Sequence, residues 1–139
     1  MLGLDLVPGH GGVEAKVLRD RDEQLLVEVY EPVSAESHEF RSLLNLLDTG
    51  RCWVKLSAPY ETSKTGAPQY EDVSRLARAL VKKAPERMLW ASNWPHPSVP
   101  KEQRPSDEDL LELVLEWAAD ETTRRRILVD NPAELYGFK

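Results

Sequence analysis

The chain has one cysteine and three histidines in 139 residues. A single thiol allows no disulfide within the chain. Cys52 lies in the apolar run Cys52-Trp53-Val54, where a buried structural thiol is expected and no local base activates it. His10, His38 and His96 are scattered and form no HxH pair, so no metal is expected; a metal centre needs several ligands in a fixed geometry. No run of ~18 apolar residues exists, and so no membrane-spanning helix is expected. The start, Met1-Leu2-Gly3-Leu4-Asp5-Leu6, lacks the basic residues and long apolar core of a secretion signal, which makes the cytoplasm the expected location. Pro8-Gly9-His10-Gly11-Gly12 is glycine-rich but contains neither GxGxxG nor GxxxxGK, so no nucleotide cofactor is implied. Concentrated positive charge is missing too. With 18 Lys and Arg against 24 Asp and Glu, the net charge is -6, and a nucleic-acid partner would need a dense basic face. The one basic run, Arg124-Arg125-Arg126, reads as the solvated side of a helix.

What is present is an ordinary core-forming composition, 41% hydrophobic and 30% charged. Residues 1–36 read as loop followed by a β-hairpin, with Val13–Val17 and Leu25–Tyr30 flanking the charged tip Arg19–Glu23; one helix over Val13–Tyr30 is the alternative. From Ser37 the pattern sharpens. Phe40, Leu43, Leu44 and Leu47 make one face of a helix ending at Gly50. Cys52–Ser57 is a short strand ended by Pro59, and Tyr60–Gln69 is a polar loop. A helix starting near Tyr70 carries Val73, Leu76, Ala77, Leu80 and Val81 on its buried stripe. Arg87–Ser92 is a second buried strand, followed by a proline-rich loop over Asn93–Pro105. Ser106 and Asp109 resemble a capping box, Asp120 caps a further helix, and Asn131-Pro132-Ala133-Glu134 reads as a cap, a first-turn proline and a reciprocal glutamate. Strands alternating with amphipathic helices predict α/β architecture with a parallel sheet. Two parallel strands cannot be stable alone, which predicts that the pattern is part of something larger.

The two strand ends carry the candidate chemistry. Trp90-Ala91-Ser92-Asn93-Trp94-Pro95-His96-Pro97 passes from an apolar strand into a polar turn stiffened by prolines, and in α/β barrels the loops after the strands hold the active site. Asn93 sits at that junction, with Trp94 and His96 beyond it. At the other strand end, Ser57 and Tyr60 can offer hydroxyls to the same mouth, and Lys55 can face inward. A structural reading stays open for each: an Asx turn at Asn93, a satisfied loop histidine at His96, a core tryptophan at Trp94, and a hydroxyl-rich loop cap at Ser57 and Tyr60. Ser57 has no His or Asp in an order that would suggest a triad.

Four ordered segments carry a resemblance. Gly50–Tyr60 resembles a penultimate barrel strand of the amidohydrolase-related family. Tyr70–Val73 with Ala84–Pro97 resembles its last helix-strand unit, and Ile127–Phe138 its terminus. The branch most resembled is that of 2-pyrone-4,6-dicarboxylate hydrolases, over roughly Ser37 to Phe138. The resemblance implies the C-terminal portion of a (β/α)8 TIM barrel, namely the last two βα units plus C-terminal helices over residues 37–139, with residues 1–36 unmatched. It implies metal-independent hydrolysis of a lactone or ester of a carboxylated aromatic breakdown product, with no cofactor.

Two positions depart from the family pattern. The residue ending the eighth strand is usually an aspartate acting as general base on water. Here it is Asn93, whose amide takes up no proton at neutral pH. An arginine that holds a substrate carboxylate usually follows the seventh strand, and the corresponding place holds Glu61, which repels an anion. Trp94 and His96 match, and with Ser57 and Tyr60 they are the expected substrate-binding residues. The family's early HxH and its mid-barrel histidine have no counterpart. The expectation is therefore a truncated form with little activity alone, or one completed by another subunit. The rivals are a non-catalytic assembly module that completes its sheet with another chain, as a homo-oligomer through unpaired strand edges, and a regulatory domain binding ligand at Trp94-Pro95-His96.

Overall fold

A computed structural model describes residues 13–19, 24–29 and 36–138. The elements are β1 (Val13–Arg19), β2 (Gln24–Val29), α1 (His38–Asp48), β3 (Cys52–Ser57), a one-turn α2 (Pro59–Thr62), α3 (Glu71–Lys83), β4 (Met88–Ala91), α4 (Asp107–Trp117), α5 (Glu121–Arg125) and α6 (Asn131–Tyr136). They build one sheet in the order β1-β2-β3-β4. β1 and β2 pair antiparallel, with Val13 opposite Val29. The other pairings are parallel, Leu25 opposite Cys52 and Val54 opposite Met88. His10 and the tip Asp20–Glu23 lie outside the described residues.

β2 is thus a third parallel strand, where the sequence from Ser37 onward suggested two. Its run Leu25-Leu26-Val27 is continuously apolar, as in strands of a covered parallel sheet. The helix alternative over Val13–Tyr30 is not adopted; the β-branched valines at 13, 17, 27 and 29 suit a pleated strand. Among the described residues, β1 and β4 are the sheet's outer strands, each paired on one side.

The sheet has two differently used faces, because side chains alternate along a strand. Cys52, Val54, Leu56 and Met88 point into the main core. There they meet Phe40, Leu43 and Leu47 of α1, Leu76, Ala77, Leu80 and Val81 of α3, and Leu113, Val114 and Trp117 of α4. Each fully buried aliphatic side chain contributes about 1.5–3 kcal/mol. On the opposite face Trp53 and Leu89 pack on Leu135 of α6, and the Arg87 guanidinium lies 4.6 Å over the Trp53 ring. Toward the strands' C-terminal ends that face becomes half-buried, at Lys55, Ser57 and Ala91, and more polar through Lys55 and Ser57.

The helix starts follow the capping logic of the sequence. The hydroxyls of Ser37 and Ser106 accept from the backbone N–H of Phe40 and Asp109, and the Asp120 carboxylate accepts from Thr123. The C-terminal helices differ from expectation. A π-helical stretch, Arg126–Asp130, joins α5 to α6, and Asn131 has helical backbone angles, φ -65° and ψ -46°. It is therefore not a cap. Its buried amide instead donates to the carbonyls of Pro85 and Met88, both at 2.8 Å, and fixes the start of β4. The expected polar loop after β3 opens with α2, because Pro59 sits at its first position with φ already helical. Within the arginine run, Arg124 is turned back to donate to the carbonyls of Leu115, Ala118 and Ala119 at the end of α4, whereas Arg125 and Arg126 are exposed.

The connection from α2 to α3 is locked by Asp72. Its carboxylate accepts from Ser63 Oγ (2.6 Å), the Lys64 N–H (2.7 Å), Thr65 Oγ1 (2.9 Å) and the Val73 N–H (3.0 Å). Desolvation pushes its carboxyl up, but these four hydrogen bonds together outweigh it and hold the group well below the usual carboxylate range.

Two substitutions test these anchors. Asn131→Ala leaves two carbonyls without their donor and should cost about 1–3 kcal/mol in urea unfolding; a loss under about 0.5 kcal/mol, the scatter of neutral surface changes, contradicts the anchor. Asp72 titrates lower in the folded state than unfolded, so its contribution is complete above the ordinary value of 3.8 and is lost as pH falls below it. Asp72→Asn should therefore lower stability at pH 7 by about 1 kcal/mol, reduced by solvent screening, and should flatten the acid limb of stability against pH. An unchanged acid limb contradicts this.

Candidate active site

β3 and β4 run parallel and end side by side, with Ser57 opposite Ala91 in the register. The chain turns sharply beyond both ends. Ala58, after β3, has φ +50°, and Asn93 and His96, after β4, have φ +62° and +56°. Left-handed angles cost a non-glycine residue roughly 1 kcal/mol, least for asparagine, and such strain collects at functional sites. Two hydrogen bonds fix the turn after β4, from the His96 N–H to the Asn93 carbonyl (2.8 Å) and from the Val99 N–H to the His96 carbonyl (3.1 Å).

A chain of side-chain hydrogen bonds joins the two strand ends to α4. Asn93 Nδ2 donates to Tyr60 Oη at 3.0 Å. Tyr60 Oη lies 2.7 Å from His96 Nδ1, and His96 Nε2 lies 3.0 Å from Asp107 Oδ1 at the first position of α4. Asn93 Nδ2 also reaches Glu61 Oε1 at 3.3 Å, and Ser98 Oγ donates to the same oxygen at 2.6 Å. His96 is 4% exposed and meets the Tyr60 ring edge-on, with centroids 5.5 Å apart.

The donor and acceptor roles follow from the partners. The Asp107 carboxylate only accepts, so His96 Nε2 carries a hydrogen. Tyr60 Oη accepts from Asn93 and so has its own hydrogen to give to His96 Nδ1. The Glu61 carboxylate likewise only accepts, which fixes the Asn93 amide with its nitrogen toward Glu61 and Tyr60. Both Asn93 N–H groups are thereby used, and among the described residues its Oδ1 is left to accept from a ligand or water. Burial pushes the Tyr60 hydroxyl above its ordinary range; the Asn93 hydrogen bond lowers it, while the charges of Glu61 and Asp107 and neighbouring Tyr70 raise it. Tyr60 is therefore a neutral phenol at neutral pH, suited to holding and donating a hydrogen bond rather than to attacking as a phenolate.

Of the residues singled out in the sequence, Asn93, Tyr60 and His96 come together. Ser57 ends β3 and, among the described residues, makes no hydrogen bond to them. Trp94 is 74% exposed, so the core reading of its side chain does not hold; its backbone N–H donates to Ser92 Oγ. Cys52 is fully buried and its thiol is pushed up to about 11, chiefly by desolvation, which leaves it protonated. Sequence reasoning missed Asp107 and Ser98 as members of the cluster. Asp107 had a visible signal as an acidic residue in the first turn of a helix, but its pairing with a histidine 11 positions earlier had none. Among the described residues no three His, Cys, Asp or Glu side chains are grouped to hold a metal ion.

Comparison with known proteins bears on this geometry. A family model described as Amidohydrolase matches residues 3–138, and so takes in most of the stretch over 1–36 that the sequence resemblance left out. The 4-sulfomuconolactone hydrolase of Hydrogenophaga intermedia is 41% identical over 110 residues, covering 78% of this chain and 36% of that protein. The D-galactarolactone isomerase of Agrobacterium fabrum is 40% identical over 108 residues, covering 77% and 37%. The 2-pyrone-4,6-dicarboxylate hydrolase of Comamonas testosteroni is 34% identical over 109 residues, covering 73% and 35%. An apo crystal structure from Agrobacterium tumefaciens superposes with a TM-score of 0.72 at 38% identity, covering 78% of this chain and 38% of that one. The chain thus spans little more than a third of the length of these relatives. With a match over nearly all of its own residues, the chain belongs to the amidohydrolase family.

Proposed function

We propose that this chain carries the Asn93–Tyr60 wall of a lactone site and that its chemistry is hydrolysis of a carboxylated lactone. The observation that carries this reading is the orientation of Asn93. Its amide is fixed by Tyr60 and Glu61 at the end of a parallel strand, with Oδ1 free to accept from a water. Held there, a water is positioned for attack on a bound carbonyl without further loss of freedom, the main gain from a rigid site. Ser57 and the exposed Trp94 lie at the same end of the strands and serve as substrate contacts in this reading. The relatives support it by their names, since each acts on a lactone or pyrone ring. An Acinetobacter baumannii chain described as a probable 2-pyrone-4,6-dicarboxylic acid hydrolase, with citric acid bound, matches with a TM-score of 0.62 at 25% identity and covers 78% of this chain and 40% of that one.

The remaining wall, as part of a (β/α)8 barrel, would be built by further strands pairing along the outer edges of β1 and β4, which among the described residues pair on one side only. A second copy of this chain is their source if specific activity rises with protein concentration. The acidic, one-cysteine composition suits the cytoplasm.

A second reading is favoured by the amide at position 93. Lactone isomerisation moves an acyl group from one hydroxyl of the substrate to another and needs no water. Isotope labelling separates the two. In water enriched in oxygen-18, hydrolysis places one labelled oxygen in the product carboxylate, whereas isomerisation places none. The expected result is slow turnover of 2-pyrone-4,6-dicarboxylate, 4-sulfomuconolactone or D-galactarolactone, as for a truncated form with little activity alone, with label incorporated. Asn93→Ala and Tyr60→Phe should each lower kcat/KM at least tenfold, about 1.4 kcal/mol of transition-state stabilisation. No turnover of any of the three, or turnover unchanged in both variants, contradicts the proposal.

A further inference from the structure

Position 93 lacks a carboxylate, yet a carboxylate lies 3.3 Å from its amide nitrogen. Among the described residues, two carboxylates touch the cluster. Asp107 is engaged by His96 Nε2. Glu61, the exposed residue of α2, stands beside Asn93, and its Oε1 is held by the Asn93 amide and by Ser98 Oγ at 2.6 Å. Its second oxygen has no hydrogen-bond partner among the described residues.

We infer that Glu61, on α2, is the general base and takes from the attacking water the proton that an aspartate at position 93 would otherwise take. Glu61 has this role only if the chain acts on lactones, as proposed above. The geometry suits it. Two donors fix one carboxylate oxygen, which orients the other, and Asn93 Oδ1 lies on the same amide that touches Glu61. A water accepted by both would give one hydrogen to Asn93 Oδ1 and the other to Glu61 Oε2. In the step, the water oxygen bonds to the lactone carbonyl carbon as its proton passes to Glu61. The ring C–O bond then breaks, the departing oxygen recovers that proton from Glu61, and the product is the open hydroxy acid. Tyr60, His96 and Asp107 are positioning residues here: they hold the Asn93 amide and exchange no proton with substrate.

The same placement bears on substrate choice. A carboxylate at position 61 repels an anionic group on that side, so the substrate's own carboxylate must face away from α2.

The test is a set of pH–rate profiles on the full chain with the three lactones named above. Glu61→Gln keeps an oxygen for Ser98 and Asn93 but cannot accept a proton. It should lower kcat/KM at least about 100-fold, the usual contribution of a general base, and abolish the acid limb of the profile. Asn93→Asp combined with Glu61→Gln returns a carboxylate to the neighbouring position and should recover at least tenfold over Glu61→Gln alone. Retention of activity within threefold by Glu61→Gln, or no recovery in the double variant, overturns the assignment, the latter by making Glu61 only a holder of Ser98 and Asn93. A parent with no turnover of any of the three overturns the lactone reading itself, whereas an active parent with unresponsive variants overturns only the role of Glu61.

Discussion

Tyr60 is the point on which the two strand ends depend. Its hydroxyl takes a hydrogen from the Asn93 amide and gives its own to His96, whose other nitrogen is held by Asp107 at the start of α4. Three elements with separate covalent origins are thus tied through one phenol: the turn after β3, the turn after β4 and the first turn of α4. The tie is needed because both turns leave their strands through left-handed backbone angles. Each such angle costs free energy, and the strained conformation persists only when surrounding contacts over-determine it. Here those contacts are largely buried at His96 and open at Asn93, which places rigidity behind the site and reactivity at its surface.

The burial pattern leads to the same division. One face of β3 and β4 is sealed by α1, α3 and α4, with Val114 and Ile127 fully buried. The other face is sealed only near the start of the strands, where Leu135 closes on Trp53 and Leu89. Among the described residues the buried polar side chains are satisfied: Ser74 accepts from Trp117 Nε1 and donates to the Gln69 carbonyl, and Asn131 ties α6 to β4. Polar atoms in the sealed regions thus serve the fold, while Glu61, Asn93 and Ser98, at the strand ends, remain accessible to a ligand.

The elements with strong local signals were legible in the sequence. Phe40, Leu43 and Leu47 at helical spacing behind Ser37 gave α1, and Ser106 with Asp109 gave the start of α4, because capping and periodicity are properties of neighbouring residues. Asn93, Tyr60 and His96 were legible as candidates because each follows a strand end. Information held by distant partners was not legible. Asn131 looks like a cap when read beside Pro132 and Glu134, yet its amide is drawn to carbonyls more than 40 residues away. Glu61 looks like a repulsive substitution until Ser98 and Asn93 are found donating to it. The third parallel strand was obscured for a related reason: a short apolar run such as Leu25–Val27 fits a hairpin or a covered parallel strand equally well until its neighbour is known.

The most direct test of this account is the tautomer of His96, read from its imidazole nitrogen shifts by NMR at a pH where the ring is neutral. A hydrogen-bond chain from Asn93 through Tyr60 requires the hydrogen on Nε2, facing Asp107, with Nδ1 bare and accepting from the phenol; Tyr60→Phe should then shift Nδ1 while leaving Nε2 protonated. A ring with its hydrogen on Nδ1, or an Nδ1 signal indifferent to Tyr60→Phe, would contradict it.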